Sequence, residues 1–134
     1  MTAYCNRSLA LALALALAGL LAVSASLPGA AQQAGGVASA PAASIRALDK
    51  ITGETTDFEL ARGEQQSYGR LSIVLGDCRY PVGDPASEAY AWLEIRDPGM
   101  TEPAFSGWML ASSPALHAMD HPRYDIWVLR CLTS

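Results

Sequence analysis

From Ile45 onward, apolar and polar residues alternate in short runs separated by turn residues. The run Tyr90 to Arg96 is the strictest. Ala91, Leu93 and Ile95 share one face, and Tyr90, Trp92, Glu94 and Arg96 share the other, the two-residue period of a half-buried strand. Thr55 to Leu60 also alternates, placing Thr56, Phe58 and Leu60 opposite Asp57 and Glu59. Leu71 to Leu75 has strand character and is expected to end at Gly76-Asp77-Cys78. Phe105 to Leu110 reads as a strand interrupted by Gly107, where a bulge or close backbone approach is expected. Ser113 and Pro114 suit the N-cap and first position of a short helical turn near 114–119. Tyr124 to Cys131 is the last strand, with Asp125, Trp127, Leu129 and Cys131 expected on one side and Tyr124, Ile126, Val128 and Arg130 on the other. Trp127 beside Cys131 reads as core packing. Six or seven short strands without a long helical period predict an all-β domain, a small sandwich or barrel, over residues 45–134.

The amino end has a different pattern. Arg7 precedes an unbroken Leu/Ala-rich run from Leu9 to Val23, and small residues follow. This is the layout of a cleavable signal peptide over residues 1–31, cut after Ala31 or alternatively after Ala25. The competing reading, a retained anchor, needs roughly 20 apolar residues, and the run is shorter. Residues 32–44 are small and uncharged and read as a flexible leader. The expected destination is the periplasm, with no stable membrane span after cleavage.

Export gives the cysteines a meaning. Cys5 leaves with the signal, so Cys78 and Cys131 remain as an even pair, expected as a disulfide. Closing the loop between them contributes roughly 4 kcal/mol on the chain-entropy model. No Cys-x-x-Cys pair is present, and His117 and His121 lie in a turn-like segment, so neither a metal nor another cofactor is expected. Losing Arg7 and no acid turns the net charge from −4 to −5, without a basic cluster. Nucleic acid is therefore a poor partner.

Three constellations carry candidate chemistry. Ser112, Ser113, His117, Asp120, His121 and Asp125 contain the residue types of a hydrolase, but no Gly-x-Ser-x-Gly elbow is present, and Ser113 and His121-Pro122 have uses as helix cap and turn exit. The carboxylates Asp57 and Glu59, or Glu94 and Asp97, resemble an acid/base pair, yet a domain this small leaves little room for a cleft. Tyr90, Trp92 and Trp108 are the third set. Burial in the core is the first expectation for both tryptophans. An exposed aromatic platform, able to stack on a sugar ring or dock a protein, is the alternative.

One family resemblance covers nearly the whole domain. Phe105-Ser-Gly-Trp-Met-x-Ala-Ser-Ser-Pro114, His121-Pro-x-Tyr-Asp-x-Trp-x-Leu129 and Cys131, with Leu48-Asp-Lys-Ile-Thr-Gly53 and Thr55-Thr-Asp-Phe58, resemble domain of unknown function 2155. The resemblance implies a small exported bacterial protein with paired cysteines, chiefly alphaproteobacterial, and it implies no activity. The resulting expectation is a non-enzymatic envelope module that binds a protein or glycan through Tyr90, Trp92, Trp108, His121 and Tyr124. A small hydrolase using Ser112 or Ser113 with His121 is the alternative.

Overall fold

The structure is a computed structural model and describes residues 35–134. The expected signal peptide, residues 1–31, and the start of the expected leader lie outside the described residues. Eight strands form two antiparallel sheets: β1 (Val37–Ser39), β2 (Ala42–Asp49), β3 (Thr55–Ala61), β4 (Gln65–Tyr68), β5 (Leu71–Pro81), β6 (Tyr90–Arg96), β7 (Phe105–Leu110) and β8 (Tyr124–Leu132). A single 3-10 turn, Pro114–His117, lies between the last two.

The larger sheet has the order β1-β5-β6-β7, with β4 paired to the first half of β5; the smaller has the order β3-β2-β8. Alternation sets what each sheet buries. Leu71, Ile73 and Leu75 of β5, and Ala91, Leu93 and Ile95 of β6, face Ile45 and Ala47 of β2 and Ile126 and Val128 of β8, all fully buried. The all-β sandwich expected from the pattern is the fold, and the faces of β6 and β3 fall as the alternation predicts.

The fold begins earlier than the composition suggests. Residues 37–44, read as leader, form β1 and the start of β2. Val37 to Ser39 pairs with Arg79 to Pro81, and Ala43 pairs with both Leu60 and Cys131. Ala40 and Ala43 are buried. Ala40 donates its N–H to the Cys78 carbonyl at 2.7 Å and Ala43 lies opposite Cys131, so small residues that resembled a linker fill core positions beside the disulfide.

Two bulges correct the strand reading. β5 does not end at Gly76-Asp77-Cys78. It shifts register between Leu75 and Asp77 and continues to Pro81. β8 shifts opposite Ser44/Ile45, where Arg130 and Val128 are the successive partners and Leu129 is the extra residue. An extra residue inverts the inward/outward phase beyond it. Leu75 and Val128 therefore point inward, and so do Cys78 and Cys131 three residues further on. Trp127, expected beside Cys131 in the core, lies instead on the half-buried outer side of β8. The two cysteines join β5 to β8 across the sheets, with Cα atoms 5.7 Å apart.

The 3-10 turn packs along β7. His117 Nδ1 is 2.8 Å from the Trp108 carbonyl oxygen, and its ring lies 4.7 Å from that of Phe105. A Cβ on Gly107 would collide with this imidazole, so the glycine makes room for a side chain, not for the backbone or bulge expected there, and β7 keeps its register. Ser113 does not cap the turn with its side chain.

Candidate functional site

The residues proposed as one surface fall into two places. Tyr90, Trp92 and Trp108 lie on the outer face of the larger sheet. His121 and Tyr124 are buried between the sheets.

The outer face is built by cross-strand pairing. Trp92 and Trp108 are register partners on β6 and β7, and their rings meet edge to face at 5.5 Å and 75°. Such a pair contributes about 0.5–1.5 kcal/mol beyond its buried area. Trp92 lies over the β5 bulge, where a Cβ on Gly76 would stand 2.6 Å from its Cδ1. The indole remains 38% exposed, contrary to the expected core placement. The bulge also sends Asp77 and Arg79 outward. Arg79 donates from Nε to Asp77 Oδ2 at 2.8 Å, and its guanidinium carbon lies 4.9 Å from the Trp108 ring centre. Val37, Arg79, Tyr90 and Trp108 line a shallow hollow of about 240 Å³. Sequence reasoning found the aromatics but missed Arg79 and Val37, because β1 and the extension of β5 were not foreseen.

The buried set is a polar latch. Asp97 accepts hydrogen bonds from Arg70 Nη2 at 2.6 Å, the Gly99 N–H at 2.7 Å and His121 Nε2 at 3.0 Å. Arg70, then the Gly99 amide, then His121 hold its carboxyl well below the usual carboxylate range. His121 Nδ1 accepts from the backbone N–H groups of Arg123 at 3.1 Å and Tyr124 at 3.0 Å. This bonding assigns the proton to Nε2 and leaves neither ring nitrogen free. The imidazole stacks on Tyr124, whose ring meets Tyr68 edge to face. Lys50 donates to the His121 carbonyl, and Arg123 clasps Asp49 at 2.8 Å. The latch joins the β4–β5 turn and the end of β6 to the end of β2 and the start of β8. It closes one end of the sandwich, as the disulfide closes the other.

The hydrolase set does not converge. The Ser112 hydroxyl and amide both donate to Glu88, Ser113 is within reach of Ser112, and His121 is committed to Asp97 and backbone amides. Asp125 accepts from the Ile126 N–H, and Asp120 is exposed. The carboxylate pairs are occupied too: Asp57 by Arg46 and Glu94 by Arg96, while Asp97 is buried. Among the described residues, no three His, Cys, Asp or Glu side chains group to hold a metal ion, and no helix is long and apolar enough to cross a membrane.

Comparison with known proteins places the chain. The family model described as "Uncharacterized protein conserved in bacteria (DUF2155)" matches residues 43–131. The chain belongs to this family. An uncharacterized protein of Rickettsia prowazekii (strain Madrid E) is 31% identical over 90 residues, covering 65% of this chain and 58% of that protein. The chain thus spans little more than half the length of that relative. No solved structure matches. The family match runs from the second residue of β2 to the penultimate residue of β8, including both cysteines and the Trp92–Trp108 pair, and leaves β1 outside.

Proposed function

We propose that the protein is an exported, non-enzymatic binding or accessory module of the bacterial cell envelope, and that it contacts its partner through the outer face of the larger sheet. The observation that carries this reading is the Trp92–Trp108 pair, held over a bulge with Arg79 beside it, with Trp92 open to solvent and Trp108 half-buried. Tryptophan, tyrosine and arginine dominate binding hot spots, because they bury large area at low conformational cost. A solvent-facing tryptophan pair with an ordered guanidinium has no evident use in the core.

Export is supported by the amino-terminal pattern of Arg7 and the run Leu9 to Val23, together with the inter-sheet disulfide, which suits an oxidising compartment. The non-enzymatic reading is supported by the saturation of His121 and the distance of the serines from it in the hydrogen-bond network. The test is retention of envelope components by the immobilised protein. Trp92→Ala/Trp108→Ala should fold and lose the components that the parent retains. A doubly substituted protein that retains the same set removes this face from the function.

A further inference from the structure

Resting on the reading that the outer face binds, we infer that the hollow beside Trp108 docks an acidic segment of a partner protein: a large apolar side chain enters it, and a neighbouring Asp or Glu pairs with Arg79. The hollow is about 240 Å³ and shallow, lined by Val37, Tyr90, Trp108 and Arg79. That is below the roughly 300–1,000 Å³ of sites that enclose a whole small molecule, and it suits one side chain of a larger partner. Val37 is 54% exposed, so the apolar wall has no cover within the described residues.

The charge comes from how Arg79 is held. Among the described residues its Nε alone is engaged, by Asp77, and its guanidinium carbon lies 4.9 Å from the centre of the Trp108 ring. Neither Nη group makes a hydrogen bond among the described residues, and the side chain is 48% exposed. A guanidinium fixed in this way presents a preorganised fork for a carboxylate. Asp77 does not neutralise the site, because it serves two cations. Arg62 Nη1 stands 3.7 Å from Asp77 Oδ1, an oxygen that makes no hydrogen bond. Arg79, Arg62 and Asp77 together carry one excess positive charge, on a chain whose net charge is negative. The complement is an acidic surface carrying an apolar anchor. A neutral glycan would leave the Arg79 fork without a charged partner.

The test uses fluorescence anisotropy of acetylated, amidated 12-residue peptides carrying a central leucine flanked by two glutamates. Blocked ends leave the glutamate side chains as the sole carboxylates. The expected result is saturable binding that weakens as salt rises and is lost when the glutamates become glutamines or the leucine becomes serine. Arg79→Gln should weaken it roughly tenfold, the scale of one charge-assisted hydrogen bond. Trp108→Ala should abolish it, and Arg130→Gln, on the other sheet, should leave it unchanged. Quenching of tryptophan emission by the probe in the unsubstituted protein gives a second readout if a variant folds poorly. Absence of binding, equal binding of the glutamine peptide, or self-association abolished by Trp108→Ala would overturn the inference. Retention of a neutral oligosaccharide dependent on Trp92 and Trp108 but not on Arg79 would overturn it too, while leaving the outer face as the binding surface.

Discussion

His121 with Tyr124 and Trp92 with Trp108 look alike in the sequence, as aromatic and titratable residues in strands or at their ends, and the fold treats them in opposite ways. Every polar atom of the His121 ring has a partner, its neighbour Asp97 accepts three hydrogen bonds, and both side chains are buried. The tryptophan pair is packed too, with Gly76 beneath Trp92 and Arg79 beside Trp108, yet it lies on the outer face with Trp92 open to solvent. Reactive residue types therefore do not tell which side chains the fold leaves open. What separates the two sets is whether their interactions are completed within the fold. The latch is complete. The outer face is not.

The comparison predicts that changes at the interior connections move stability and changes at the outer face move binding. The largest stability effect should come from the disulfide. Reduction should lower unfolding free energy by roughly 4 kcal/mol in denaturant titrations, and the oxidised protein should show no free thiol when denatured. Next is the opposite end of the sandwich. His121→Ala would leave the Arg123 and Tyr124 amides without an acceptor and remove a donor from buried Asp97, costing about 3 kcal/mol. Partner retention by the folded fraction should not change.

The latch also sets the acid limit. Asp97's carboxyl lies well below its ordinary 3.8, so the unfolded chain takes up this proton first as pH falls. Its stabilisation is fully present above pH 3.8 and is lost as pH falls through the lower folded value. Asp97→Asn should be less stable near neutrality and show a flatter decline below pH 3.8, measured by thermal melts across pH.

Effects at the face should be smaller in stability and larger in binding. Trp92→Ala should cost about 1 kcal/mol, the edge-to-face contact plus partial burial, while retention of a partner falls sharply. Gly76→Ala should cost about 1 kcal/mol, because the new Cβ meets Trp92 Cδ1 at the root of the indole and must turn the ring against Trp108. It should also change tryptophan emission. An unchanged spectrum would mean that the bulge does not position Trp92.

Much of this was legible in the chain, for local reasons. The alternation of Tyr90 to Arg96 set both faces of β6, and Asp97-Pro98-Gly99 gave the turn whose Gly99 amide does bond Asp97. The even cysteine pair gave the cross-link. The bulges were not legible. A single inserted residue leaves composition and propensity untouched yet reverses every side chain beyond it, which is how Trp127 was expected inside and Arg79 was overlooked. The latch was hidden by distance: Arg70 and His121 lie 27 and 24 residues from Asp97, and nothing local to any of the three marks the others. The small residues of β1 and early β2 carried no hydrophobic period, although Ala40 and Ala43 fill core positions.

The most direct test of the account compares partner retention by Trp92→Ala/Trp108→Ala with retention by His121→Ala, each measured on folded protein isolated by size-exclusion chromatography. The prediction is loss of retention in the first and retention equal to the parent in the second, with the larger fall in melting temperature in the second. Retention lost in His121→Ala and kept in the tryptophan double variant would contradict the account and move the functional site to the latch.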